Sequence, residues 1–107
     1  MSSDKDAQLV EQLIEATNAG RVTWEPTAAV DEFTSSFKGK YGVIVAKENN
    51  TYTLRMLDNS EREMLSVEQV QGPYVQSPSI EQLFEFARRT ALHVDQAIDD
   101  ILQELKA

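Results

Sequence analysis

Between Ser79 and Lys106 the apolar residues Ile80, Phe84, Ala87, Ala91, Val94, Ile98, Ile101 and Leu105 recur at alternating steps of four and three. Helical periodicity held for that long dictates a helical C-terminal third with a continuous apolar face. One helix over 28 residues would be about 42 Å long, whereas a chain of this length has a radius of gyration near ~13 Å. It would overhang its own core. The alternative is a break at Leu92-His93, with His93 in a left-handed C′ position, which His tolerates better than most side chains, and Asp95 capping a second helix. The break is preferred, because an overhanging helix leaves its stripe in water.

The rest of the chain alternates between other periods. Leu9, Val10, Leu13, Ile14 and Thr17 fall on one helical face, with Ser3 or Asp4 as N-cap and Gly20 placed for a left-handed C′ residue, so a first helix is expected over about residues 4–19. Arg21-Val22-Thr23-Trp24 reads as a short extended segment closed by Pro26. Trp24, the only tryptophan, is expected to anchor the first helix to a sheet rather than to stack on a ligand.

From Ala28 the period becomes two. Phe33, Ser35 and Phe37 alternate with polar neighbours, Lys38-Gly39-Lys40 turns, and Tyr41, Val43 and Val45 alternate with Gly42, Ile44 and Ala46. Asn49-Asn50 is a hairpin signal before Thr51–Leu57, in which Tyr52, Leu54 and Met56 face one way. Asp58-Asn59-Ser60 turns the chain into a fourth strand, Arg62–Val67. Turns this short imply an antiparallel meander. Gly72, Pro73, Ser77 and Pro78 mark a loop, after which Ser79 caps the helical region; Glu85 and Arg89 are spaced for an intrahelical ion pair. The expected architecture is a single α+β domain over residues 1–107: an N-terminal helix, a four-stranded antiparallel meander and a C-terminal helical region, either two helices broken near His93 or one long helix.

Several function classes are disfavoured by what the chain lacks. It has no cysteine, which excludes disulfides, thiolate zinc sites and cysteine nucleophiles. Its formal charge of −8 comes from 18 acidic against 10 basic residues, with the excess at the two ends and no basic face. Nucleic-acid binding, which needs cations to displace counterions from phosphate, starts from a poor position. No apolar run is long enough to span a bilayer and the polar start does not resemble a signal peptide, so no membrane association and a cytoplasmic location are expected.

Candidate chemistry is sparse. His93 is the only histidine, and its spacing to Asp95 points the two side chains apart on a helix. Asp95, Asp99 and Asp100 could share one side of a helix, but a solvated acidic face explains them without magnesium or calcium, and no calcium-binding loop is present. The glycines Gly20, Gly39, Gly42 and Gly72 have turn or strand explanations rather than phosphate-loop spacing. Arg88-Arg89 could bind an anion, but Glu85 competes for one of them, and no serine has a neighbouring base in sequence. The expectation is therefore no enzyme, no catalytic residue, no metal and no cofactor.

Three stretches carry a resemblance: Leu13–Thr17 followed by Gly20–Trp24, the Tyr52-Thr53-Leu54 strand ending in Asp58, and Leu83–Arg89 through Val94–Leu102. Together they resemble a family of small uncharacterised bacterial domains in which an N-terminal helix leads to a tryptophan, several strands follow, and the chain ends in an Ala-Arg-Arg helix and a Val-Asp helix. The resemblance implies the same element order and assigns no activity; it also implies a helix break at His93, where members of the family tend to carry Gly or Asn.

The leading functional expectation is a non-enzymatic protein-interaction module, forming a homodimer or binding a protein partner through the C-terminal stripe Ile80, Phe84, Ala87, Ala91, Val94, Ile98, Ile101 and Leu105. Leu83, Phe86, Leu92 and Leu102 add hydrophobes beside it, more than one sheet can cover. The alternative is an acidic inhibitor or immunity-type protein that masks a basic nucleic-acid-binding partner. A small-ligand carrier using the sheet near Trp24 and Tyr41 is third.

Overall fold

The computed structural model describes residues 3–70 and 79–106, with side chains from residue 5. The elements in chain order are α1 (Ser3–Asn18), β1 (Glu25–Pro26), β2 (Glu32–Phe37), β3 (Tyr41–Glu48), β4 (Thr51–Leu57), β5 (Glu63–Val70), α2 (Ile80–Ala91) and α3 (Val94–Leu105). The strands form one antiparallel sheet in the order β1-β2-β3-β4-β5, each paired with its sequence neighbour. The expected meander is present, but it has five strands rather than four. Glu25 and Pro26 pair with Thr34 and Phe33; the Trp24 segment continues into a two-residue edge strand, and Pro26, with no N–H to donate, suits an edge position. The last strand also runs on to Val70 instead of ending at Val67.

The turns follow from local chemistry. Lys38 and Gly39 both take positive φ between β2 and β3, the requirement of a type I′ hairpin turn. Asn49 supplies the positive φ between β3 and β4. Between β4 and β5, Asp58 organises the loop: its Oδ1 accepts from the backbone N–H groups of Ser60 (2.8 Å) and Arg62 (3.0 Å), and its Oδ2 accepts from the Arg62 guanidinium (3.2 Å). The Arg62 backbone N–H is the main reason the Asp58 carboxyl is held below its usual range, with desolvation opposing and the Ser60 N–H and Arg62 side chain assisting. This carboxylate is committed to a turn.

α1 ends as its sequence requires. Gly20, at φ +77°, lets its N–H reach the Thr17 carbonyl (3.1 Å) while the Arg21 N–H reaches that of Ala16 (2.8 Å), the paired bonds of a Schellman motif. The N-cap expected at Ser3 or Asp4 rests on side chains outside the described set, and the loop marked by Gly72, Pro73, Ser77 and Pro78 lies outside the described residues.

One face of the sheet carries the core. Register places Phe33 beside Val45, Val45 beside Leu54 and Leu54 beside Val67, so every strand from β2 to β5 turns alternate side chains to the same side. α2 lies across that side and α1 packs against α2. Phe84 of α2 meets Phe33 and Tyr52 with ring centroids 5.6 Å from each, and Leu83 beside it is fully buried. Burial of each such side chain stabilises the fold by about 1.5–3 kcal/mol. Trp24, 2% exposed, closes the gap toward α1, and its indole N–H donates to the Thr17 hydroxyl at 3.0 Å. That hydrogen bond makes burial of the polar end of the ring tolerable.

α2 starts where expected. The Ser79 hydroxyl accepts from the Gln82 N–H at 3.1 Å, and Gln69 of β5 adds a second cap by accepting from the Ile80 N–H at 2.8 Å. The C-terminal region is two helices. Leu92 closes α2, and His93 adopts the left-handed conformation at φ +53° with its N–H on the Thr90 carbonyl. Asp95 is not the cap of the second helix, however. α3 begins at Val94 with His93 as its first flanking residue and no side-chain cap, and Asp95 sits in the first turn. There it accepts from the Arg89 guanidinium at 2.6 Å. Arg89 thus reaches forward across the break instead of back to Glu85, because the kink brings α3's first turn within its reach.

Candidate interaction surface

The C-terminal stripe divides at the break. Ile80, Phe84, Ala87 and Ala91 are buried in α2 together with Leu83. These four residues, expected on an interaction surface, are occupied by the chain's own sheet and first helix. Val94 is half-buried beside the junction. The remaining positions are open to solvent: Ile98 is 43% exposed, Ile101 60% and Leu105 74%, with Leu102 at 49%. α3 contains no buried residue at all.

The sequence of α3 explains why this surface is coherent. Val94, Ala97, Ile98, Ile101, Leu102 and Leu105 follow the i, i+3, i+4, i+7, i+8, i+11 spacing that gathers side chains on one side of a helix. At 100° per residue, Asp95 and Glu104 flank that stripe on its two sides, whereas Asp99 and Asp100 lie further round, on the solvent side of the helix. Asp95 is held by Arg89, and Asp100 accepts from the Gln96 amide at 3.0 Å. Among the described residues no ion pair engages Asp99, Asp100 or Glu104. The helix therefore carries an apolar stripe backed by a polar, mostly acidic face.

The expectation that a break would spare the chain an overhang is corrected by the geometry. The radius of gyration is 15.0 Å and the principal extents are 56 × 36 × 25 Å, against about 13 Å for a compact chain of this length. α3 touches α2, but the break redirects the stripe without burying it.

Other candidate positions are engaged or isolated. Trp24 is sealed in the core, which removes it from a ligand-carrying role, and Tyr41 stands exposed at the start of β3. His93 is exposed at the helix junction. Among the described residues no group of three His, Asp or Glu side chains is placed to hold a metal ion, and no helix is long and apolar enough to cross a membrane. A recess of about 420 Å³ is lined by Arg21, Thr23, Glu25, Ser36 and Lys38 at the β1–β2 edge. Its charged groups are of both signs. On the outer face of the sheet Glu32 accepts from Thr27 (2.7 Å) and Arg55 (3.4 Å), a cross-strand network.

No known protein family, curated protein or solved structure matches the chain.

Proposed function

We propose that this chain is a non-enzymatic interaction module that engages another polypeptide, a second copy of itself or a different protein, through the apolar face of α3. One observation carries the reading. Twelve residues form a helix with a full apolar stripe, and none of them is buried by the rest of the chain. Four large aliphatic side chains in a row expose on the order of a few hundred Å², the size of patch that on a monomer is commonly functional. Isolated helices of this length are marginal in water, so covering the stripe would also stabilise the element that presents it.

The test is photo-crosslinking in the native host, with a benzophenone side chain at Ile101 and, as control, at Val30, which is 87% exposed and lies outside α3. A polypeptide adduct at Ile101 and none at Val30 is expected. Absence of any adduct at Ile101 would refute the reading.

A further inference from the structure

We propose that the recess between the Arg21–Thr23 segment and β2 binds a short extended peptide with free ends, its carboxylate held by Arg21 and Lys38 and its ammonium by Glu25. This surface is separate from α3, and the proposal stands independently of the reading above.

The sheet is left unfinished at this edge. Glu25 pairs with Thr34, and the Thr27 N–H donates to the Glu32 carbonyl at 3.2 Å. Continuing that register toward the start of the chain would set Thr23 opposite Ser36 and Arg21 opposite Lys38. The ladder stops at Glu25 instead, where Trp24 is buried and tied to Thr17 of α1. Between the two segments a gap of about 420 Å³ opens, lined by these same residues. Strand alternation turns the backbone groups of Glu32, Thr34 and Ser36 toward this edge. The Ser36 N–H and C=O therefore face the gap with no strand opposite them among the described residues, the arrangement by which a sheet edge takes up an extended peptide.

Charge gives the peptide a direction. Arg21 and Lys38 stand at one end of the recess, one from each wall; Thr23 and Ser36 come next, and Glu25 closes the other end beside Thr34. Among the described residues none of the three charged groups joins an ion pair. Lys38 holds a left-handed backbone at φ +56° that Gly or Asn adopts more readily, so the turn itself does not call for lysine. Two cations suit a carboxylate, Arg in particular through paired hydrogen bonds, and the single anion suits an ammonium. From Arg21 to Glu25 is four steps of extended chain, about 13 Å. The long side chains of Arg21 and Lys38 shorten that span to the length of three extended residues, about 10 Å.

The probe is triglycine, titrated into the full isotope-labelled chain and followed by amide chemical shifts. Saturable shifts are expected at residues 21–25 and 34–38. Triglycine amide, which lacks the carboxylate, should bind about tenfold more weakly, and acetyl-triglycine, which lacks the ammonium, about threefold. Glycine, with both charges but no span, should not bind. Arg21→Gln/Lys38→Gln should reproduce the loss seen with the amide and Glu25→Gln that seen with the acetyl peptide, while Lys40→Gln, outside the recess, should change nothing.

Absence of shifts, shifts confined to other residues, or equal binding of triglycine and either capped form would overturn the proposal. So would binding that survives Arg21→Gln/Lys38→Gln, or an equal loss from Lys40→Gln, the mark of bulk charge. The capped peptides decide it on the unaltered chain even where circular dichroism shows a variant unfolded.

Discussion

α2 and α3 are neighbours of equal length, twelve residues each, and both are amphipathic. α2 buries Ile80, Leu83, Phe84, Ala87 and Ala91 against the sheet and α1; α3 buries nothing. Residue pattern does not separate them, since either stripe could pack on a sheet. Position does. α2 follows β5 with its start pinned by Gln69 and Ser79, and the left-handed His93 then turns the chain away before α3 begins. An apolar stripe states that something covers a helix, and only the path of the chain states whether that something is the same molecule.

The largest expected difference between the two helices is in the unfolding free energy of single truncations. Phe84→Ala should cost about 3–5 kcal/mol, because it empties the ring cluster with Phe33 and Tyr52. Ile101→Ala should stay within about 0.5 kcal/mol, as at other exposed sites. Guanidinium unfolding measures both. Comparable losses would place α3 in the core and erase the contrast.

A middle-sized effect belongs to the α1 side of the core. Thr17→Val keeps the shape but leaves the Trp24 indole N–H without its acceptor, and should cost about 1–3 kcal/mol. Tryptophan emission should remain that of a buried ring; a shift to the wavelength of a hydrated indole would mean that the hydrogen bond, rather than packing, holds Trp24 in place.

A smaller effect sits at the junction that creates the contrast. His93→Gly removes the steric strain of a left-handed side-chain-bearing residue and should stabilise by about 0.5–1 kcal/mol, read as a rise in the urea midpoint. A fall would indicate that α2 and α3 join through a different backbone geometry.

Much of this was legible in the sequence for identifiable reasons. Gly20 as a left-handed terminator, Ser79 as a cap, the Lys38-Gly39 and Asn49 turns and the His93 break are each set by the local chemistry of one or two residues, and each stands where that chemistry places it. The alternation of Val43, Val45, Tyr52 and Leu54 likewise named the buried face of the sheet. What local pattern missed depended on distant partners. The pairing of Glu25–Pro26 with β2 gives no periodic signal in two residues. Arg89 has both Glu85 and Asp95 within sequence reach, and the angle between helices decides for Asp95. The candidate surface was half legible for the same reason: Ile98, Ile101 and Leu105 share one stripe with Ile80, Phe84, Ala87 and Ala91, and periodicity alone gives no way to divide it.

The most direct check of that division is equilibrium urea unfolding of the double variant Ile98→Asp/Ile101→Asp, followed by circular dichroism at a concentration where the wild type sediments as a single species. If α3's apolar face lies outside the chain's own core, the carboxylates enter water and the unfolding free energy stays within about 1 kcal/mol of wild type, the sum of two ordinary surface changes. A loss of several kcal/mol, the cost of forcing charges into an apolar interior, would put Ile98 and Ile101 in the core and contradict the assignment of this face to a partner.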